Sequence, residues 1–164
     1  MISVVMNTYM ESVELKRYSI ESILNQIYKD IKFIIVLGNI NNINHKDVIN
    51  EYALKDDRIK FKINIDNTGR VGALNYALSM CKGDYIAIMD SDDIALPDRL
   101  EKQLDYIKKH DFDLTGGITQ IIDETGNAIY SIRKIPINSD KIKKVLKYGQ
   151  CIAHPTWLGK RLVF

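Results

Sequence analysis

Cysteine is scarce. Cys81 and Cys151 are the only two in 164 residues, with no CxxC pair and no Cys/His spacing of a zinc site. A disulfide scaffold and a zinc module therefore lack their residues, and both thiols read as small buried hydrophobes of a reducing compartment. Charge of one sign is lacking too: 23 Lys and Arg against 21 Asp and Glu leave a net +2, so no nucleic-acid partner is expected. No apolar run approaches the ~20 residues of a transmembrane segment. Met1–Met6 is followed by Asn7, Thr8 and Tyr9 without the charged start of a secretory signal. A cytoplasmic location is expected, including a peripheral place at the inner face of the membrane. A P-loop, a GxGxxG fingerprint and a GxSxG elbow are all absent, which removes the loops that P-loop, dinucleotide-binding and hydrolase readings require. What is present is a composition 46% hydrophobic and 27% charged, that of one soluble globular domain.

Short β-branched runs alternate with amphipathic stretches. Ile2–Met6, Lys32–Leu37, Ile59–Ile63 and Asp84–Met89 read as strands, the apolar ones as buried on both faces. Between them, Leu15, Ser19, Ile23 and Ile27 mark a helix ending near Tyr28, and Val48, Ile49, Tyr52 and Ala53 mark a second. Val71, Leu74 and Leu78 share one face of a third, which opens at Asn67-Thr68-Gly69 and closes at Lys82-Gly83. A fourth, with Pro97 in its first turn, carries Leu100, Leu104 and Ile107. The fold class is α/β with a mostly parallel sheet flanked by helices. After Asp113, Leu114–Ile122 and Ala128–Lys134 read as a hairpin about Asp123–Asn127, and Asp140–Tyr148 as a short basic helix. The chain ends on the apolar Leu162-Val163-Phe164, which invites self-association.

In open parallel sheets, ligands bind beyond the carboxyl ends of the strands. The loops there carry Asn7-Thr8-Tyr9, Gly38-Asn39, Asn67-Thr68-Gly69-Arg70 and Asp90-Ser91-Asp92-Asp93. Three carboxylates within four residues repel one another unless a cation sits among them. Mg²⁺ or Mn²⁺ shared with a diphosphate suits such hard oxygen donors. Alternatively, Asp92 or Asp93 only caps the helix starting near Pro97. Likewise Asn67–Arg70 reads equally as a plain turn and helix start, His154 as structural, and Trp157 as either core or acceptor cleft.

The succession ISVVMNTY, SIESILNQIYKDIKFIIV, DDRIK, NTGRVGALNYAL and KGDYIAIMDSDDIALPDRLEKQ resembles family 2 of the GT-A-type glycosyltransferases, with Asp90-Ser91-Asp92 as its DxD motif. The likeness is close over residues 1–110 and looser at Cys151–Trp157. It implies a nucleotide-diphosphate sugar, a UDP-sugar by expectation, as donor, with Thr8 and Tyr9 near the base and Glu11 beside the nucleotide. It further implies Asn67, Gly69 and Arg70 near the nucleotide, Asp90 near the ribose or sugar, and Asp92 on the Mn²⁺ or Mg²⁺. Asp93, His154 and Trp157 fall on the acceptor or diphosphate side. The implied reaction is inverting transfer to a glycan or lipid-linked acceptor, by a single domain over 1–164 with a donor part at 1–110 and an incomplete acceptor part at 111–164. A binding module without turnover is the other reading. Two departures stand out. Relatives carry an Asp-Asp-Gly-Ser stretch where this chain has Leu37-Gly38-Asn39-Ile40, leaving Asn39 in the place of a base-recognising carboxylate. The catalytic base is expected downstream of Phe164.

Overall fold

The computed structural model describes residues 1–38, 43–64, 69–123, 125–132 and 136–164. The first strand, β1 (Ile2–Thr8), lies between β2 (Ile31–Leu37) and β4 (Tyr85–Asp90), parallel to both, and β3 (Ile59–Ile63) extends the sheet beyond β2. Alternate side chains leave β1 for opposite faces. Val4 and Met6 join one core cluster with Phe33, Ile35 and Leu37, while Val5 joins the other with Ile34, Ile86 and Ile88. Covering the first face are α1 (Val13–Leu24), α2 (Ile43–Lys55) and α4 (Arg99–His110), and covering the second is α3 (Gly69–Ser79). The expected three-layer α/β arrangement is thus observed. In α4 the spacing of Leu100, Leu104 and Ile107 buries all three, each burial stabilising by about 1.5–3 kcal/mol.

Register positions the loops. Asn7 lies level with Val36 on one side and with Asp90 on the other, so β1, β2 and β4 release their chains at one sheet edge.

Several expectations need correction. The first helix stops at Leu24 rather than near Tyr28, and Ile27 is exposed. Gln26 turns inward instead: its Nε2 donates to the carbonyls of Ser22 and Leu96, and its Oε1 accepts from the Leu100 N–H. The buried face of α3 is Ala73 and Ala77, with Leu74 and Leu78 partly buried and Val71 exposed. Small residues let this helix sit close against the sheet. Gly83 is no helix cap, since α3 ends at Ser79. A Cβ there would lie 2.7 Å from Ser3 N and 2.8 Å from Met1 O, so glycine serves close backbone approach.

The stretch Leu114–Ile122 is not one strand. It divides into β5 (Leu114–Thr115) and β6 (Gln120–Ile122), and Ile152 packs on the intervening Gly116 so closely that a Cβ there would lie 2.1 Å from Ile152 Cγ2. The hairpin of β6 with β7 (Ala128–Ile132) is present as a separate sheet, its turn held by Asp123 Oδ1 accepting from the Thr125 and Asn127 N–H groups. The basic helix, α5, spans Ser139–Leu146. One strand escaped the sequence reading: β8 (Leu158–Lys160) enters the main sheet antiparallel between β4 and β5, giving the order β3-β2-β1-β4-β8-β5. No helix among the described residues is long and apolar enough to cross a membrane.

Candidate functional site

At the sheet edge where β1 and β4 end, a cleft of about 460 Å³ is lined by Asn7, Thr8, Tyr9, Glu11, Gly38, Gly69, Arg70, Asp90, Ser91, Asp92 and His154, with Val5, Ala73, Leu74, Ile88 and Met89 as its apolar wall. The loops that sequence placed at one edge do converge. Asn39 and Asn67 lie outside the described residues.

The turn after β1 is built around one carboxylate oxygen. Thr8 Oγ1 donates to Glu11 Oε2 at 2.9 Å and the Tyr9 N–H donates to the same oxygen at 2.7 Å. Burial alone would raise the Glu11 pKa, but these donors outweigh it and hold the carboxyl below its ordinary value. Thr8 is buried while Tyr9 is 47% exposed, its ring in reach of the cleft. Ser12 then caps α1, accepting from the Leu15 N–H.

Gly69 opens α3 with φ +71°, the left-handed region that favours glycine, and this brings the start of the helix to the cleft. Asn7 Nδ2 donates to the Arg70 carbonyl at 3.3 Å, which ties β1 to that start, and Asn7 Oδ1 is buried without a partner among the described residues. The Arg70 guanidinium lies 3.6 Å from Asp90 and is otherwise open to solvent.

The acidic turn is held from below. Ser19 Oγ donates to the Asp90 carbonyl at 2.8 Å, and Ser22 Oγ accepts from the Ala95 N–H at 3.1 Å. Arg99 anchors the strand itself, donating to the Ile88 carbonyl at 2.8 Å. Burial raises the Asp90 pKa, opposed by Arg70 and His154 and reinforced by Asp92 and Glu11. Asp93 is pushed up to about 6 by burial and by its neighbours Asp90 and Asp92. It lies outside the cleft lining, whereas Asp92 is in it and exposed. The capping alternative falls away, because α4 starts at Arg99 with Asp98 in the cap position.

Among the described residues no group of three or more His, Cys, Asp and Glu side chains is arranged to hold a metal alone. Hard oxygen donors at Asp90 and Asp92 fit a divalent ion whose remaining ligands come from phosphate oxygens and water. His154 lines the cleft and meets Trp157 edge-on, with ring centroids 5.0 Å apart. Trp157, partly buried, packs on the second core cluster and donates from Nε1 to the Ile152 carbonyl.

Sequence reasoning placed Asn7 and Gly38 in the loops of this edge without giving either a role, and both line the cleft at the ends of β1 and β2. It passed over Lys16 on α1, fully buried and hydrogen-bonded through Nζ to Nδ1 of the buried His45 on α2. Helical spacing puts Lys16 next to the apolar positions, but no pattern announces that a lysine will stay inside.

The model of the glycosyl transferase family 2 matches residues 3–164. An uncharacterized glycosyltransferase of Methanocaldococcus jannaschii is 44% identical over 161 residues, covering 98% of this chain and 56% of that protein. The O-antigen biosynthesis glycosyltransferase WbnJ of Escherichia coli is 40% identical over 164 residues, covering 98% of this chain and 62% of WbnJ. The chain thus spans roughly three-fifths of the length of these two curated relatives. Among solved structures, S. aureus TarS 1-349 in complex with UDP-GlcNAc superposes with TM-score 0.73 at 19% identity, over 99% of this chain and 46% of that one. The mannosyltransferase PcManGT from Pyrobaculum calidifontis, in complex with GDP-Man and Mn²⁺, does so with TM-score 0.62 at 19% identity, over 69% and 34%. At such identities the likeness speaks for the fold alone.

Proposed function

Since the chain belongs to glycosyl transferase family 2 and has the GT-A fold, we propose that its cleft takes a nucleotide-diphosphate sugar, a UDP-sugar first, together with Mn²⁺ or Mg²⁺. The sugar then passes with inversion to a glycan or lipid-linked acceptor. One observation carries this reading: Thr8, Tyr9, Glu11, Gly69, Arg70, Asp90 and Asp92, drawn from three separate loops, line one cleft.

Each residue has a part in that reading. Tyr9, exposed over the cleft, offers a face to the base, and Thr8 holds the turn beneath it through Glu11. The amino-terminal end of α3 at Gly69 offers its N–H groups and a positive dipole end to phosphate. Arg70, lightly paired with Asp90 at 3.6 Å, is free to swing its guanidinium onto the diphosphate. Asp90 faces the ribose or sugar, Asp92 holds the metal, and Asn67 adds to the nucleotide side. Bound there, a divalent ion neutralises charge on the departing diphosphate. His154, and Asp93 just outside the cleft lining, belong to the acceptor or diphosphate side; residues 1–110 form the donor part and 111–164 the acceptor part. Leu162, 98% exposed, supports self-association, and the proposed lipid-linked acceptor goes with work in the cytoplasm at the inner membrane face.

Titration calorimetry with UDP and Mn²⁺ tests the donor site. Binding is expected to weaken at least tenfold on adding EDTA or on Asp92→Asn, since either removes a charged partner of the ion. Affinity unchanged by both treatments would overturn the metal assignment.

A second reading, donor binding without turnover by these 164 residues, is favoured by one observation: Lys141–Phe164 contains neither Asp nor Glu. That leaves residues 141–164 without a carboxylate to serve as base.

A further inference from the structure

A lysine with no exposed surface is a costly thing to keep, and Lys16 is one. Its Nζ meets His45 Nδ1, which links α1 to α2, and the charged group that acts on both is Glu11. Glu11 in turn holds the Thr8 hydroxyl and the Tyr9 N–H on one oxygen. The step from Glu11 to the cleft runs through two hydrogen bonds, and the step from the buried pair to Glu11 is electrostatic only.

We propose that Lys16 and His45 are positioning residues of the cleft: the pair supplies the buried counter-charge that fixes Glu11 and the Thr8–Tyr9 turn, and thereby sets affinity for a nucleotide diphosphate. The ligand half of this inference rests on the donor-site reading above. Nζ and Nδ1 face each other directly, so one donates and the other accepts; with the ammonium donating to the neutral ring, the pair carries one positive charge below the Lys16 midpoint and none above it. Burial pulls Lys16 down to about 8 and His45 below its ordinary value, with Glu11 drawing both the other way. Once the pair loses its proton, Glu11, Asp90 and Asp92 remain in the cleft with Arg70 as the lining cation among the described residues, and an anion is held less well.

The experiment has two arms on the 164-residue chain. In the ligand-free arm, NMR follows the Tyr9 backbone amide from about pH 7 to about pH 9.5. A step with its midpoint near 8 is expected in the wild type and absent in Lys16→Met, while His45→Gln, whose carbonyl still accepts from Nζ, retains it. In the binding arm, calorimetry with UDP and Mg²⁺ over the same range is expected to show affinity falling about threefold to tenfold through that midpoint. Lys16→Met is expected to bind weakly throughout with a flat profile. A merely structural lysine would change stability without moving either profile. A flat Tyr9 amide overturns the proposal, as does UDP affinity with the same pH course in wild type and Lys16→Met. Failure of the wild type to bind UDP, GDP or ADP at any pH, with the amide step intact, overturns the donor reading and the affinity claim while the charge coupling stands.

Discussion

Replacing Lys16 by methionine keeps the side-chain volume and removes the buried charge, and its signature in stability is a slope, not a level. The lysine pKa drops from 10.5 to about 8 on folding, chiefly by burial, which at 1.36 kcal/mol per unit corresponds to a cost of at most about 3 kcal/mol at neutral pH. The sign follows from proton counts. Between the two values the unfolded lysine keeps a proton that the folded one has released, so stability rises as pH rises from about 8 toward 10.5. Two other groups complicate the absolute curve. The buried Cys81 thiol, pushed up to about 11, lowers stability as pH rises above its ordinary value, and His45 loses its partner in the variant at a cost of about 1–3 kcal/mol. The first is common to both chains and the second is independent of pH over this range, so the difference in slope isolates Lys16. Urea unfolding followed by circular dichroism from about pH 7 to about pH 10 measures it, provided the m-values agree. The wild-type curve is expected to climb relative to Lys16→Met. Parallel curves would refute the claim that Lys16 is charged and buried in the folded state.

Gly83→Ala forces a methyl to within 2.7 Å of Ser3 N; a loss of about 1–3 kcal/mol, read as a lower melting temperature, is expected, and an unshifted melt would show that the β1 terminus yields freely. At Gly38 a Cβ would sit 3.2 Å from Tyr9 Cδ2, and the exposed Tyr9 ring has room to give. Gly38→Asp is therefore expected to fold normally and to gain about tenfold in preference for UDP over GDP and ADP, a hydrogen bond to a charged group contributing about 1.5–3 kcal/mol. An unchanged preference across the three nucleotides, with the melt intact, removes the base-recognition argument. The 164-residue chain incubated with UDP- and GDP-sugars, Mn²⁺ and mixed glycan acceptors is expected to release little nucleotide diphosphate, because a positioned base contributes about 10²–10⁴-fold; multiple-turnover transfer would refute this.

The parallel half of the fold was legible because burial on both faces leaves a plain mark, uninterrupted runs such as Phe33–Leu37 and Ile86–Met89. So was the edge at which chemistry collects, since polar residues follow those runs directly. What stayed hidden has physical reasons. The strand Leu158–Lys160 is only three residues long and owes its place to Gly159, where a Cβ would lie 2.8 Å from Asp113 O; a three-residue strand has no period to read. The inward turn of Gln26 and the close seat of Ala73 and Ala77 depend on partners distant in sequence, Leu96 and Leu100 in one case and the sheet in the other. In the site, Asp92 and Arg70 were named from their loops, while Lys16 and His45 were not, because their roles arise from contact across 29 residues.

The charge of the cleft joins these observations. A diphosphate is an anion, yet the cleft's lining includes Glu11, Asp90 and Asp92 against Arg70 and His154. Facing three carboxyl groups, a diphosphate is repelled by the empty arrangement, even though burial disfavours the charged form of Asp90. Under the proposals above, three things reverse the sign: the end of α3 at Gly69, a divalent ion at Asp92, and the buried proton on Lys16 and His45. The first is fixed by the backbone and the second depends on metal concentration. The third responds to pH alone. On this reading, donor affinity should become more dependent on metal as pH rises past the Lys16 midpoint near 8, since the ion must then offset a charge that the lysine no longer balances. Calorimetric titration of UDP at several Mg²⁺ concentrations on either side of that midpoint measures the effect. Equal metal dependence on both sides would mean that Lys16 and the cleft do not share one electrostatic balance.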